Sequence, residues 1–160
     1  GVRIELPTNK PIVLLRESGG SRYLPIWIGA VEATAIAYAL EGVVPQRPLT
    51  HDLLKTVSET LGATVARVVV TELRDSVYYA DLVFERDGSE VQVSSRPSDA
   101  IALAARMGAP LYATEQVLED AGIEIRDQDE EAEIEKFREF LDEIGPEDFE
   151  AEPPPDRPAG

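Results

Sequence analysis

The chain of 160 residues contains no cysteine and a single histidine, His51. The lack of cysteine excludes disulfides, thiolate nucleophiles and Cys-based zinc or iron–sulfur sites, and it is typical of a cytoplasmic protein. One histidine cannot build a metal site of several imidazoles. No apolar run approaches the roughly 18 residues that a membrane span needs, so we expect no contact with a membrane. The remaining composition, 43% hydrophobic and 29% charged, is that of a globular protein.

Positive charge is also scarce, and the net charge is −16. Residues 1–122 hold 11 Lys and Arg against 16 Asp and Glu, whereas residues 123–160 hold 4 against 15. Most of the excess acid therefore lies near the C-terminus. Because affinity for nucleic acid comes largely from cationic contacts, the absence of a basic stripe argues against a nucleic-acid-binding protein and favours a non-catalytic module.

Three common fingerprints of enzyme active sites are absent. The sequence contains no G-x-S-x-G, no G-x-x-x-x-G-K-[ST] and no G-x-G-x-x-G, which excludes the usual serine hydrolase, P-loop and dinucleotide sites. The route to catalysis that remains is a hard divalent cation held by carboxylates, as in many sites that cleave phosphodiesters.

The first half of the chain predicts three strands followed by two helices. The strands are VRIEL, PIVLLRE and RYLPIWI, and the last two are joined by a glycine-containing hairpin turn at residues 18–21. An alanine-rich helix is predicted over about 30–41, with Gly42 at its end. A second helix starts near Thr50 and ends at Gly62, and we expect its apolar side chains to face the core. These side chains are Leu54, Val57 and Leu61.

The second half repeats this order. Three β-rich runs occupy residues 64–96, and the last two turn at Asp87-Gly88, a strong hairpin dipeptide. The helix SDAIALAARMG follows. The recurrence predicts an α+β fold built from a duplicated βββα unit, with a mixed or antiparallel sheet packed against alanine-rich helices. The alternative is that two alanine-rich helices resemble each other by chance.

The composition divides the chain into three parts. We predict a folded domain over 1–125, an acidic amphipathic helical extension over 126–149, and a disordered proline-rich tail over 150–160. The apolar stripe of the extension should dock on the domain itself or on a partner, and truncation after Asp127 should leave the domain folded. The stripe consists of Ile134, Phe137, Leu141 and Ile144.

Polar residues concentrate where the last strand of the second half meets its helix. If Asp87-Gly88 is a two-residue loop, Tyr79 lies opposite Arg96 and Asp81 opposite Ser94 on one face of the hairpin. These residues then stand just before the helix that carries Asp99. The structural alternative is an ordinary helix start, with Arg96 paired to Asp81.

Three further residues have two interpretations each. Glu32 falls on the apolar side of the first helix, where a carboxylate needs a partner; it is either a first-turn residue favoured by free N–H groups or part of a site. His51 and Asp52 are either surface residues at a helix start or a general base with an orienting carboxylate.

Four blocks taken together resemble the bifunctional nuclease domain family. They are LPIWIGAVEATAIAYAL at 24–40, RPLTHDLL at 47–54, YYADL at 78–82 and RPSDAIALAAR at 96–106. The resemblance covers about residues 2–125 and implies a compact α+β domain that associates with itself and acts on both DNA and RNA. The candidate residues above all stand inside these blocks.

The resemblance supplies no catalytic roles, so we infer the roles of the candidate residues from their own chemistry. We expect a nuclease that uses a divalent ion such as Mg²⁺ or Mn²⁺ held by Asp81 and Asp99, with Arg96 and Tyr79 binding the nucleic acid substrate. The expected catalytic residues are Glu32, His51, Asp52, Asp81 and Asp99. The alternative function is a non-catalytic, self-associating regulatory or scaffold module. In either case we expect a homo-oligomer, with the aromatic residues near the first helix in the interface; these are Tyr23, Trp27 and Tyr38.

Overall fold

A computed structural model describes residues 2–5, 10–125 and 130–143. It contains eight strands and five helices within those residues. The strands are β1 (Val2–Glu5), β2 (Ile12–Arg16), β3 (Arg22–Trp27), β4 (Thr64–Arg74), β5 (Val77–Arg86), β6 (Ser89–Ser95), β7 (Leu111–Ala113) and β8 (Ile123–Glu124). The helices are α1 (Ala30–Glu41), α2 (Thr50–Thr60), α3 (Pro97–Met107), α4 (Glu115–Ala121) and α5 (Glu130–Glu143).

The strands form two four-stranded sheets. The first sheet has the order β1-β2-β3-β8 and is antiparallel throughout. The second sheet has the order β6-β5-β4-β7, in which β7 runs parallel to β4 and the other pairs are antiparallel. The predicted α+β class with mixed and antiparallel pairing is confirmed. Three strands precede a helix in each half, but whether the halves arose by duplication stays a prediction.

The β5–β6 hairpin has the register predicted from its turn. Asp87 and Gly88 have φ angles of 51° and 75°, the positive values that a two-residue hairpin turn requires. Tyr79, the residue expected to face Arg96, lies one position before Ala80, which pairs with Ser95. The same register pairs the like-charged residues Glu85 and Glu90. Arg67 on β4 offsets their repulsion with two hydrogen bonds to the Glu90 carboxylate, at 2.6 and 2.9 Å.

Helix α3 lies at the centre of the domain. Its Ile101 and Ala102 pack in a cluster with Val13 and Ile26 of the first sheet and with Ile36 of α1. Three more of its buried residues pack against the second sheet; they are Ala100, Leu103 and Ala104, which cluster with Val68, Ala80 and Leu82. A helix covered on opposite faces needs small side chains for close approach, which explains its alanine content.

Helix α2 departs from the prediction. Its apolar residues were expected in the core, yet Leu54, Val57 and Leu61 are 38%, 45% and 60% exposed. The helix instead attaches to the domain through polar contacts made by its first turn, described below. Its apolar side is left facing outward.

Helix α5 docks on the far side of the first sheet. Ile134 is 2% exposed and packs in a cluster with Leu14 and Tyr23, and Phe137 packs against the same cluster. The extension therefore uses its own domain as a docking surface. The Leu141 side chain, Ile144 and the tail over 150–160 lie outside the described residues. No helix among the described residues has the length and apolarity to cross a membrane.

Candidate active site

Arg96 joins two carboxylates from different helices. It precedes α3, and its Nε and Nη2 atoms donate to Asp99 Oδ2 and Oδ1 at 2.8 and 3.1 Å. Its Nη1 donates to Glu32 Oε1 at 3.0 Å, across 64 positions of sequence. Pro97 is the first residue of α3, a position that proline favours, and Arg96 is the extended residue that precedes it. The Arg96 side chain is 65% exposed and thus accessible from solvent.

His51 completes this group from α2. Its Nε2 lies 3.0 Å from Asp99 Oδ1, and its side chain is only 12% exposed. If the imidazole is neutral, a proton on Nε2 is donated to the ionised carboxylate, and Nδ1 is left as an acceptor. We call the four residues Glu32, His51, Arg96 and Asp99 the site cluster.

Asp52, the next residue, secures α2 in place. Its Oδ1 accepts a 2.6 Å hydrogen bond from Nε of Arg106 on α3, and its Oδ2 accepts from the backbone N–H of Leu49. Arg106 is 7% exposed and also donates through Nη1 to the carbonyls of Ala35 and Ala102, at 2.9 Å each. One buried guanidinium thus ties α1, α2 and α3 together. Asp52 therefore positions His51 from outside the site cluster.

The position of Glu32 depends on Gly29. The Glu32 carboxylate lies where a Cβ atom on residue 29 would be, so any larger residue at Gly29 would displace it. Glu32 is 19% exposed and reaches Arg96 from the first turn of α1. Its carboxylate thus has the partner that its place on the apolar side of the helix requires.

The electrostatics of the site cluster favour an ionised Asp99. Burial alone would raise the pKa of Asp99, but the hydrogen bonds from Arg96 and His51 outweigh it and lower the pKa below the ordinary value. The hydrogen bond from Arg106 likewise lowers the pKa of Asp52. Glu32, Asp52 and Asp99 together face two guanidiniums. The formal charge of this region is therefore −1 while His51 is neutral.

Two predicted site residues lie elsewhere. Ala80 and Leu82 of β5 pack against α3, so Asp81 between them points to the opposite face of the sheet. Tyr79 is on that face too, with the guanidinium of Arg74 at 4.6 Å from its ring centroid. The structure thus brings Glu32, His51, Arg96 and Asp99 together and does not bring Asp81 or Tyr79 to them. Arg96 pairs with Asp99 and Glu32 rather than with Asp81.

The site cluster is poorly suited to a metal ion. Arg96 already occupies the space between the two carboxylates that could share a cation. Across the described ranges, 2–5, 10–125 and 130–143, no three or more His, Asp or Glu residues are placed to ligate an ion together. We therefore assign no chemical step to a metal, and the expected dependence on Mg²⁺ or Mn²⁺ stays a prediction.

Comparison with known proteins identifies the family of the chain. The model of the bifunctional nuclease domain matches residues 13–126, a segment that contains the whole site cluster. The chain belongs to the bifunctional nuclease domain family. An uncharacterized protein of Mycobacterium tuberculosis (strain H37Rv) is 50% identical over 159 residues, which cover 94% of this chain and 95% of that protein.

Plant members of the bifunctional nuclease domain family are more distant. Bifunctional nuclease 1 of Oryza sativa subsp. japonica is 29% identical over 117 residues, 71% of this chain and 35% of that protein. Bifunctional nuclease 2 of Arabidopsis thaliana is 29% identical over 128 residues, 76% of this chain and 39% of that protein. This bifunctional nuclease domain therefore matches a little over a third of each plant protein.

Sequence reasoning missed two residues that support the site of this bifunctional nuclease domain. Arg106 reads as a helix-surface cation near the end of α3, and only packing shows it to be 7% exposed between three helices. Gly29 reads as a loop residue between β3 and α1. The sequence did contain a clue to the role of Gly29, because this glycine stands three residues before Glu32, the carboxylate on the apolar face of α1.

Proposed function

We propose that this domain is a nuclease that cleaves phosphodiester bonds in DNA, RNA or both at the site cluster. The observation that carries the proposal is the His51–Asp99 contact of 3.0 Å beside the exposed guanidinium of Arg96. A base oriented by a carboxylate, next to a cation that can hold phosphate, is a minimal set for hydrolysis of a phosphodiester.

His51 is the general base of the proposed reaction. Asp99 accepts a hydrogen bond from the Nε2–H and fixes that tautomer, which leaves Nδ1 to take a proton from water or, in RNA, from a ribose 2′-hydroxyl. The oxygen thus activated attacks phosphorus, and the P–O bond to the leaving oxygen breaks as that oxygen takes a proton from solvent. The lowered pKa of Asp99 keeps its carboxylate ionised, so that it also stabilises the imidazolium formed when His51 gains the proton.

Arg96 is the phosphate-binding residue of the proposed reaction. A guanidinium carries five N–H donors, and three of those of Arg96 are directed to Asp99 and Glu32. Two donors are left for a phosphate oxygen. Glu32 and Asp99 hold the guanidinium in a fixed orientation, which lowers the entropy lost when the phosphate binds.

The net charge of −1 on the carboxylates and guanidiniums of this region disfavours the binding of a phosphate. A phosphate approaching the region gains attraction from Arg96 and repulsion from the carboxylates. A cation that arrives with the nucleic acid would offset the repulsion, and we propose that Mg²⁺ or Mn²⁺ acts in this way. An ion that arrives bound to the nucleic acid does not need ligands from the protein.

The test is a cleavage assay on the purified chain with single- and double-stranded DNA and with RNA, in Mg²⁺, in Mn²⁺ and in EDTA. Because a general base contributes about 10²- to 10⁴-fold to the rate, His51→Gln and Asp99→Asn should each lower cleavage by about that factor. Glu72→Gln, an exposed change on β4, is the matched control and should retain full activity.

The stability of the same variants separates chemistry from folding. Asp99 accepts hydrogen bonds from Arg96 and lies within hydrogen-bond distance of His51, so Asp99→Asn should cost about 1–3 kcal/mol of unfolding free energy and leave the chain folded. Retention of full cleavage by folded His51→Gln would exclude His51 as the base. Equal activity in EDTA and Mg²⁺ would remove the metal from the proposal.

A second function, self-association without catalysis, is favoured by the exposed apolar side of α2. Leu49, Leu53 and Val57 are 42%, 54% and 45% exposed there. We propose that two copies bury this side against each other. Tyr23, which was expected in such an interface, is buried beneath α5 instead.

Light scattering on the intact chain tests this association. We expect a mass above that of the monomer, and a shift to monomer for Leu53→Glu with Val57→Glu; Val77→Glu, equally exposed but on β5, should leave the mass unchanged. A monomeric parent chain at micromolar concentration would rule the association out. Cleavage by the monomeric variant would show that the two functions are separate.

A further inference from the structure

A cavity of about 720 Å³ opens beside the site cluster. It lies between the end of β3, the turn from β4 to β5 and the starts of α1 and α3. Arg96 belongs both to its wall and to the site cluster. Its volume is within the range of about 300–1,000 Å³ that is usual for small-molecule sites.

The walls of the cavity are mostly apolar and include two aromatic residues. Trp27 and Tyr78 both line it, together with Ile26, Ile28 and Val77. The Tyr78 hydroxyl donates to the carbonyl of Pro25 at 2.9 Å, which holds its ring in place. Burial raises the pKa of Tyr78 to about 12, so this group is neutral at physiological pH. A flat aromatic ligand would find an apolar environment and a fixed ring here.

The mouth of the cavity carries the cations. Lys10 and Arg96 line it and are both exposed, and Asp120 is the acidic residue in the wall. A ligand with an aromatic group next to a phosphate matches this arrangement: the ring enters, and the phosphate lies on Arg96. Asp120 can accept hydrogen bonds from amino groups on the ring edge.

We propose that the cavity receives one unpaired base of a single-stranded nucleic acid whose adjacent phosphate binds Arg96. The inference rests on the proposed nuclease function, since it places that substrate at the same site. A paired base is stacked inside its duplex and cannot enter without being extruded. A duplex also requires many cationic contacts, and a chain of net charge −16 offers few. Burial of a base supplies affinity that electrostatics here cannot.

The cavity can be tested by a direct optical measurement, because Trp27 is the single tryptophan of the chain. The intact protein is titrated with a short single-stranded oligonucleotide made cleavage-resistant by phosphorothioate linkages. Tryptophan fluorescence should be quenched on binding. An abasic strand of equal length and charge, and the same strand annealed to its complement, should bind at least about tenfold more weakly.

Variants then test the aromatic contact, with binding followed by the anisotropy of a dye-labelled strand. Stacking of one base on an aromatic side chain corresponds to about 5- to 150-fold in affinity, so Trp27→Ala should lose about that factor and Trp27→Phe should retain most of it. Tyr112→Ala removes an exposed aromatic residue on β7, away from the cavity, and should bind as the parent does.

Several outcomes would overturn the proposal. Equal binding of the abasic strand would exclude a base-binding cavity even if no Trp27 variant folds, because that comparison uses only the parent chain. Unchanged affinity of Trp27→Ala, or an equal loss in Tyr112→Ala, would also exclude it. Base-dependent quenching without any cleavage would uphold the cavity and reject the nuclease, whereas cleavage with no dependence on Trp27 would do the reverse.

Discussion

Replacing Arg106 by methionine should lower the unfolding free energy more than replacing any exposed arginine of the chain by methionine. Arg106 is 7% exposed and Asp52, its partner at 2.6 Å, is 28% exposed. Loss of a hydrogen bond to a charged group costs about 1.5–3 kcal/mol, and breaking a fully buried ion pair costs about 3–5 kcal/mol. In the Arg106→Met variant, the Asp52 carboxylate still accepts the hydrogen bond from the Leu49 N–H and stays partly in contact with water. The expected cost is therefore about 2–3 kcal/mol, between the two cases.

The pH dependence of this cost identifies its origin. The Arg106 hydrogen bond lowers the pKa of Asp52 below its ordinary value of 3.8 in the folded chain. Its contribution to stability is therefore present above about pH 3.8 and is lost as the pH falls through the folded pKa. The difference in unfolding free energy between the parent chain and Arg106→Met should shrink as the solution is acidified below that value.

Urea unfolding followed by circular dichroism measures this difference at neutral and at acidic pH. Each chain is examined at several protein concentrations, because self-association would add concentration-dependent stability. Arg86→Met is the matched control: Arg86 is 56% exposed in a 3.5 Å pair with Asp87, and its loss should cost under about 0.5 kcal/mol. A cost for Arg106→Met as small as that of the control, or one independent of pH, would refute the reasoning.

Two further substitutions test the remaining contacts. Ile134→Ala should lower the unfolding free energy by about 2–3 kcal/mol, because Ile134 is buried between α5 and the first sheet. Glu135 is exposed on the same helix, so Glu135→Ala should leave the free energy nearly unchanged in the same urea titration. Equal effects of the two substitutions would mean that α5 does not pack on the first sheet. Gly29→Ala should displace the Glu32 carboxylate and reduce cleavage while the melting temperature changes little; unaltered cleavage would show that the orientation of Glu32 is unimportant.

Local chemistry in the sequence predicted the β5–β6 hairpin of the second sheet well. The dipeptide Asp87-Gly88 sets the turn, the turn sets the register, and the observed pairs from Ala80–Ser95 to Arg86–Ser89 agree with it. This register also pairs the like-charged residues Glu85 and Glu90. The hydrogen bonds from Arg67 that offset their repulsion were not predicted, because Arg67 lies on β4, outside the hairpin that the turn positions.

All four members of the site cluster were among the predicted candidates, but not every candidate joins the cluster. Glu32, His51, Arg96 and Asp99 were named as candidates from local patterns and the family resemblance, and packing of α1, α2 and α3 brings all four together. Asp81 was expected to join them through its place on the hairpin. Strand alternation put it on the opposite face, since helix α3 packs against its neighbours Ala80 and Leu82.

By itself, the sequence determined what short-range geometry controls: the strands and helices, the turns that take positive φ, and the order of elements in each half. The tertiary structure alone decided what depends on which surfaces are buried. His51 and Asp99 are 48 residues apart, and Arg106 reaches Asp52 across 54 residues. No periodicity reports such contacts. The apolar side of α2 shows the same limit: its period predicts a helix with a buried side, and only the packed domain reveals that this side is left exposed.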